Sequence, residues 1–229
     1  MRAPSPFAPT LDWIGDSSLR IRLGDGISDE SHERVRAAYE RLRGADVPGL
    51  IDITPAYTTL LLHFDPLTLD AAGIEAHVTR GLKDLAGARA GVSRTIEIPV
   101  CYDASLAPDL ADVAARCGLS AERVVALHSG AEYHVAFIGF APGFPYLTGL
   151  PGRLNVPRLD APRARVPAGS VAIAGDQAGI YPHETPGGWR IVGRTPLRLF
   201  DCGAGRPSLL GMGDRVQFVP ISLAEFNAR

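Results

Sequence analysis

Two periods of apolar residues run through the first third of the chain. Leu11 to Ile14 and Leu19 to Leu23 are short apolar or alternating runs around the turn Gly15-Asp16-Ser17, and Leu50 to Ile53 and Thr58 to Phe64 repeat the arrangement around Pro55. Runs of this length bounded by turn residues predict strands. Val35, Tyr39 and Leu42 stand at helical spacing behind Ser28, whose hydroxyl suits an N-cap, and Gly44 closes the stretch; Ile74, Val78 and Leu82 give a second helix over Leu69 to Leu85. The order strand, strand, helix, strand, strand, helix predicts a small α+β unit over residues 1–88. Ala86 to Gly91 are small residues and read as a linker, so a second domain is expected over residues 92–229.

The second domain opens with a strand from Thr95 to Val100 and a helical pair, Ala107 to Arg116 and Ala121 to Leu127, joined by Cys117-Gly118-Leu119-Ser120. The pair has the spacing of a DNA-reading helix-turn-helix. Its second helix offers Arg123 alone as a base-reaching side chain, and an acidic chain lacks the phosphate attraction behind non-specific affinity, so packing against the rest of the domain is the expected role. Beyond it the pattern changes again. Residues 139–220 hold 14 Gly and 11 Pro, against 8 and 6 in residues 1–90. That density breaks helices and predicts short strands joined by turns in a sandwich or barrel.

Composition then narrows the function. Hydrophobic residues at 46% and charged residues at 21% describe an ordinary globular chain of 229 residues. There is no apolar run long enough for a membrane span, and a cytoplasmic protein with no nucleic-acid or membrane partner is expected. Three cysteines, Cys101, Cys117 and Cys202, contain no C-x-x-C pair, which argues against a disulfide framework or a zinc site and for buried reduced thiols. Lys83 is the one lysine, so no G-K-[ST] exists and a P-loop is excluded; its helical, solvent-facing setting speaks against Schiff-base chemistry. Although the whole chain carries a formal charge of −2, residues 139–220 contain nine Arg against five Asp and Glu. A basic β domain suits an anionic ligand, or simply presents solvated arginines on strand faces.

Two segments concentrate candidate chemistry. In Gly139-Phe140-Ala141-Pro142-Gly143-Phe144-Pro145-Tyr146-Leu147 a strand runs into a tight loop, where a Pro-Gly step suits a type II turn and exposes backbone N–H groups beside two aromatics. Such a loop can cradle a carboxylate or phosphate, or form a barrel corner plugged by its aromatics. The second segment, Ala174 to Arg190, reads as a polar loop on a rigid scaffold: Gln177 brings an amide, Tyr181 a phenol, and Arg194 just beyond it a fork able to take an anion bidentately. No G-x-S-x-G elbow, H-E-x-x-H helix or G-x-G-x-x-G turn occurs, so triad hydrolysis, zincin proteolysis and Rossmann binding lack their signatures. Of the six histidines, His32 and His77 are expected on exposed helix sides and His63 in a core. His134 alternates with Val135. His128 either caps its helix or points at the turn loop, and His183 sits in the polar segment within reach of a ligand.

Five stretches in order, Gly139 to Leu147, Arg165 to Val171, Gln177 to Pro182, Pro186-Gly187-Gly188-Trp189 and Gly193-Arg194-Thr195-Pro196, resemble the KipI family, also called allophanate hydrolase subunit 1, whose bacterial metabolic form is the B subunit of 5-oxoprolinase (PxpB). The resemblance extends from Trp13-Ile14-Gly15-Asp16 to Gly213-Asp214-Arg215-Val216, with one departure: Ala178 stands where the family usually has threonine. It implies an α+β protein, a small N-terminal α+β domain followed by a cyclophilin-like β-barrel. It also implies membership of an ATP-dependent amidohydrolase complex that opens 5-oxoproline to glutamate, with ATP and Mg used by the complex. The partners it implies are a homologous barrel-type C subunit (allophanate hydrolase subunit 2 type) and the A subunit of 5-oxoprolinase. A lactam nitrogen leaves poorly, so phosphorylating the carbonyl oxygen would activate the ring for water, a step that rests on positioning and charge neutralisation. On this reading Gly143, Phe144, Tyr146, Gln177 and Tyr181 contact substrate at the interface with the C subunit, and Arg194 and His128 serve the chemistry. The family also implies two alternatives: an inhibitor of a sensor histidine kinase, and a carboxyltransferase-type subunit acting on urea- or allophanate-like amides.

Overall fold

A computed structural model describes residues 7–83 and 94–228, and the chain divides into two compact units, residues 1–92 and 93–229. The expected linker, Ala86 to Gly91, lies outside the described residues, as does the end of the second predicted helix.

The first unit contains β1 (Thr10–Trp13), β2 (Ser18–Arg22), α1 (Asp29–Arg43), β3 (Leu50–Pro55), β4 (Thr59–Phe64) and α2 (Ala71–Gly81). The strands form one antiparallel sheet in the order β1-β2-β4-β3. Strand alternation sends Leu19, Ile21, Leu60, Leu62 and Phe64 into the core with Val35, Ala38 and Leu42 of α1 and Ile74 and Val78 of α2. Both helices are capped as their sequences require: the hydroxyl of Ser28 accepts from Ser31 N, and the carboxylate of Asp70 from Gly73 N. Two histidine expectations are corrected by the same alternation. His63 lies between the buried Leu62 and Phe64, so it faces solvent, 3.1 Å from the Ser18 hydroxyl. His77 neighbours Val78 on the inner side of α2 and is only 5% exposed, and burial lowers its pKa.

The second unit contains β5 (Thr95–Cys101), α3 (Leu110–Cys117), α4 (Ala121–Ser129), β6 (Tyr133–Ile138), β7 (Pro145–Thr148), β8 (Arg163–Val166), β9 (Ser170–Ala174), β10 (Gln177–Ile180), β11 (Thr185–Gly187), β12 (Arg190–Arg194), β13 (Arg215–Ile221) and α5 (Leu223–Asn227). Seven strands close a barrel in the order β10-β7-β6-β13-β5-β12-β9, while β8 and β11 pair as a separate ribbon. Within the barrel β5 and β13 run parallel and the other pairs antiparallel. The expected polar loop, Ala174 to Arg190, therefore contains the barrel strand β10 and the ribbon strand β11. Ala178 and Ile180 alternate into the core, and β9 and β7 supply its hydrogen bonds on either side.

Two layers of apolar side chains cover this barrel. The larger takes one side of every strand, with Ile98, Val100, Val135, Leu147, Val171, Ile173, Ala178, Val192, Val216 and Phe218, and fills the interior. Val113, Ala114 and Val124 of α3 and α4 join it, so the helical pair packs on the barrel. The smaller layer, Phe144, Val166, Ala172, Ala174, Tyr181, Trp189 and Ile191, takes the opposite side of β9 and β12 and lies outside the barrel, with Val166 of the ribbon over it. Of the three thiols, all free, Cys101 is buried, Cys117 half-buried and Cys202 exposed, which corrects the expectation that all three are internal.

His128 belongs to the interior layer. Its ring is fully buried, stacks on Phe218 at 4.6 Å between centroids, and holds its Nδ1 2.8 Å from the Tyr102 hydroxyl; the Tyr133 hydroxyl donates to the His128 carbonyl at 3.0 Å. The expectation that it assists chemistry from the turn loop is thus corrected, because a side chain without exposed surface cannot reach a ligand on the outer face. Burial pushes its pKa down to about 3 and pushes the Tyr102 and Tyr133 phenols up. A histidine depressed in the folded state contributes stability that is complete above about pH 6.5, its unfolded value, and is lost as pH falls toward 3. Between pH 7 and pH 5 this single group withdraws about 2 kcal/mol. Urea titrations at the two pH values are expected to show His128→Phe losing about 2 kcal/mol less than wild type on acidification; equal losses would place the acid sensitivity elsewhere.

Candidate functional site

The outer face of the barrel is organised by one turn. Ala141 O accepts from Phe144 N at 2.9 Å around Pro142 and Gly143, and Gly143 has φ +83°, the geometry of a type II turn with proline at its second position. No side chain would fit there, since a Cβ on Gly143 would stand 2.6 Å from the Cβ of Phe200. Just before the turn, Phe140 adopts φ +65°, a left-handed conformation that a bulky L-residue rarely takes, and its ring is 62% exposed.

The turn delivers its aromatics onto the outer layer. Phe144 packs edge-on against Tyr146 at 5.1 Å, Tyr181 at 5.2 Å and Trp189 at 5.7 Å, while Phe140 stands above Phe144 at 5.3 Å and Tyr181 at 6.3 Å. Two glycines make room for these rings. Tyr146 pairs across the ladder with Gly179, where a Cβ would lie 2.7 Å from the Phe144 ring, and a Cβ on Gly187 would strike the Tyr181 hydroxyl. Alternation along β10 puts Gln177, Gly179 and Tyr181 outward, opposite to the interior Ala178 and Ile180. The departure from the family pattern at Ala178 therefore falls inside the barrel, away from this face.

Arginines surround the aromatic layer. The Arg158 guanidinium stands 5.9 Å from the Trp189 ring centroid. Arg163 donates to the buried Asp109 at 2.7 Å, and the second oxygen of Asp109 accepts from Ile191 N at 2.7 Å, which ties the start of α3 to β8 and β12. Arg190, itself buried, bonds Pro157 O at 2.9 Å and forms an ion pair with Asp112. Arg194 ends β12 opposite Ser170, whose carbonyl accepts from Tyr181 N; its Nε is used on Ala168 O at 2.7 Å, and no carboxylate among the described residues lies within 4 Å of its fork. Burial raises the pKa of Tyr146 and of Tyr181, opposed in both by the charge of Arg158 and in Tyr181 first by a hydrogen bond from the Trp189 backbone. Both phenols are protonated at neutral pH.

Of the residues singled out in the sequence, Gly143, Phe144, Tyr146, Gln177 and Tyr181 thus share the outer face and Arg194 adjoins it through the Tyr181 backbone, whereas His128 is inside the barrel and His183 is exposed on the β10–β11 connection. The chemical content is a buried aromatic layer, Phe144, Tyr181 and Trp189, with the half-buried Tyr146 and the exposed Phe140 at its outer side and arginines around it. Sequence reasoning missed Arg158, Trp189 and Asp109 as parts of this arrangement. The excess of arginine in residues 139–220 was the one signal pointing there, but no motif distinguishes Arg158 from the other eight. The strain at Phe140 gives a direct test. Because neither replacement keeps the ring, Phe140→Gly is expected to be more stable than Phe140→Ala by about 1 kcal/mol in denaturant melts, reversing the usual advantage of alanine. The opposite order would show that the left-handed backbone is not retained in solution.

Comparison with known proteins agrees with this architecture. The family described as carboxyltransferase domain, subdomain C and D, matches residues 9–210. The B subunit of 5-oxoprolinase from Escherichia coli O157:H7 is 45% identical over 210 residues, covering 90% of this chain and 94% of that protein, and its counterpart of the same name from Bacillus subtilis (strain 168) is 39% identical over 228 residues, covering 95% of each. The crystal structure of TTHA0988 superposes with a TM-score of 0.79 at 42% identity over 90% of this chain, which spans 40% of that longer polypeptide. By the extent of the family match and of these identities, the chain belongs to the family of the carboxyltransferase domain, subdomain C and D.

Proposed function

We propose that this chain is the B subunit of a 5-oxoprolinase complex, which opens the lactam ring of 5-oxoproline to give glutamate. The observation that carries the reading is the end-to-end match, at 39% and 45% identity, to two proteins of that name, with neither side leaving more than a tenth of its length uncovered. The outer face supports it chemically. The half-buried Tyr146 ring and the exposed Phe140 ring, backed by the buried Phe144, Tyr181 and Trp189, offer apolar surface to a five-membered lactam, Gln177 offers hydrogen bonds to an amide, and Arg194 offers a cation to charge developing at the carbonyl oxygen. Nothing in this set is a nucleophile with an adjacent base, so the chain's own contribution is to bind, orient and neutralise.

Partners and nucleotide belong to the same proposal: a homologous barrel-type C subunit, the A subunit of 5-oxoprolinase, and ATP with Mg used by the complex. The chain has no P-loop, and among the described residues no group of three His, Cys, Asp or Glu side chains could hold a metal ion. None of the roles given to this chain's residues is routed through ATP or Mg.

Co-expression with the candidate A and C partners, followed by measurement of 5-oxoproline-dependent ADP release and glutamate formation, tests the reading. Coupled appearance of both products, abolished when this chain is omitted, is the expected result. ATP turnover without glutamate would point to another amide or lactam, and failure to form a complex would overturn the subunit assignment. Within an active complex, Arg194→Ala is expected to lower kcat by more than about tenfold without unfolding the chain, the scale of one lost contact to developing charge. Wild-type turnover in that variant would remove Arg194 from the site.

A further inference from the structure

We infer that Arg158, which stands over the Trp189 ring at the edge of the aromatic layer, is the residue that binds the carboxylate of the lactam substrate. The inference rests on the 5-oxoprolinase reading and deepens it by assigning the substrate's charged group to one side chain. 5-Oxoproline consists of a flat, neutral lactam and one carboxylate, so its recognition needs an apolar surface for the ring and one accessible cation at the surface's edge.

Most cations near the aromatic layer are already committed. Arg163 is spent on the buried Asp109, Arg190 is buried against Asp112 and Pro157 O, and Arg165 lies 3.8 Å from Glu184 on the ribbon. Arg158 differs: it is exposed, and no carboxylate among the described residues lies within 4 Å of it. Its charge is felt by both phenols of the layer. A guanidinium over an indole and without a carboxylate partner keeps N–H groups for a carboxylate, which arginine can take bidentately.

The backbone that carries Arg158 is also fixed in advance. On one side Pro157 O accepts from Arg190 Nε at 2.9 Å; on the other, Leu159 N donates to Gly188 O at 2.8 Å, next to Trp189 itself. Val156, just before Pro157, bridges to Gly175 at the β9–β10 turn. Three attachments within four residues place an otherwise exposed arginine at a set position above the rings, so less ordering is left to be done when a ligand arrives. Arg194 is distinct in place and role. It adjoins the Tyr181 backbone with its Nε spent on Ala168 O, and it is assigned to the carbonyl rather than to the carboxylate.

The test uses the assembled complex and two ligands, 5-oxoproline and 2-pyrrolidinone, the latter being the same lactam without a carboxylate. In Arg158→Gln the KM for 5-oxoproline is expected to rise about 10- to 100-fold, the scale of a lost hydrogen bond to a charged group, with kcat changed less than about threefold. The inhibition constant of 2-pyrrolidinone should stay at its wild-type value, and Arg158→Lys should recover part of the loss. Because Arg158 is exposed, the melting temperature should not move. An active complex whose KM for 5-oxoproline is indifferent to Arg158→Gln would overturn the assignment, and so would equal weakening of both ligands, which would mean that Arg158 only shapes the aromatic surface. A wild-type complex without 5-oxoproline-dependent turnover is a different result, and would overturn the 5-oxoprolinase reading on which the inference stands.

Discussion

The outer site depends on one steric constraint: β9 and β10 are strands buried on both faces. A closed barrel fills its interior with side chains, so Val171, Ile173, Ala178 and Ile180 are committed inward. A second apolar layer on the outer side can approach only where the outward residues are small. Ala172, Ala174 and Gly179 meet that requirement, and Gly179 meets it without any Cβ, which lets the Phe144 ring lie directly on the backbone. The aromatic surface is thus a consequence of what β9 and β10 lack.

Charge is arranged around that surface in the same economical way. Asp109 sits at the start of α3 with both oxygens occupied, one by the Arg163 guanidinium and one by the Ile191 amide. A buried carboxylate would be costly without such partners, and with them it fastens a helix, a barrel strand and the covering ribbon at one point. Arg190 does the corresponding work between Asp112 and the segment before Arg158. Two arginines of the domain are thereby structural, and their pairing with the nearby carboxylates leaves other cations on the outer face unneutralised.

How much of this could be read from the sequence follows from the range of the signal. Local features were legible: the Ser28 cap, the break at Gly118 between α3 and α4 and the Pro142-Gly143 turn each depend on a few neighbouring residues. The fold class was legible from the uneven distribution of glycine and proline. What failed was long-range. Whether His128 enters the barrel interior is decided by Phe218 and Tyr102, ninety residues later and twenty-six earlier in the chain. His77 and His63 were misplaced because a short apolar run does not reveal which neighbour of a core residue shares its face. Arg158 became visible only when Trp189, thirty-one positions away, was found beneath it.

A site of this composition also explains why no catalytic signature could be found. Opening a lactam needs an activated carbonyl, a proton for the departing nitrogen and a water, and a surface of rings, amide and guanidinium groups supplies none of these by itself. On the proposed reading its part is to seat the ring, fix its charged end and oppose charge at its carbonyl. Those functions do not require a nucleophile, a perturbed general base or a metal cluster, which are the features that motifs encode. They require rigid placement, provided here by a barrel strand with no side chain at Gly179, a turn with none at Gly143, and an aromatic residue, Phe140, held in a backbone conformation it would not choose alone. Rigid placement with the reactive groups supplied from elsewhere is the division of labour expected of one component in a larger enzyme.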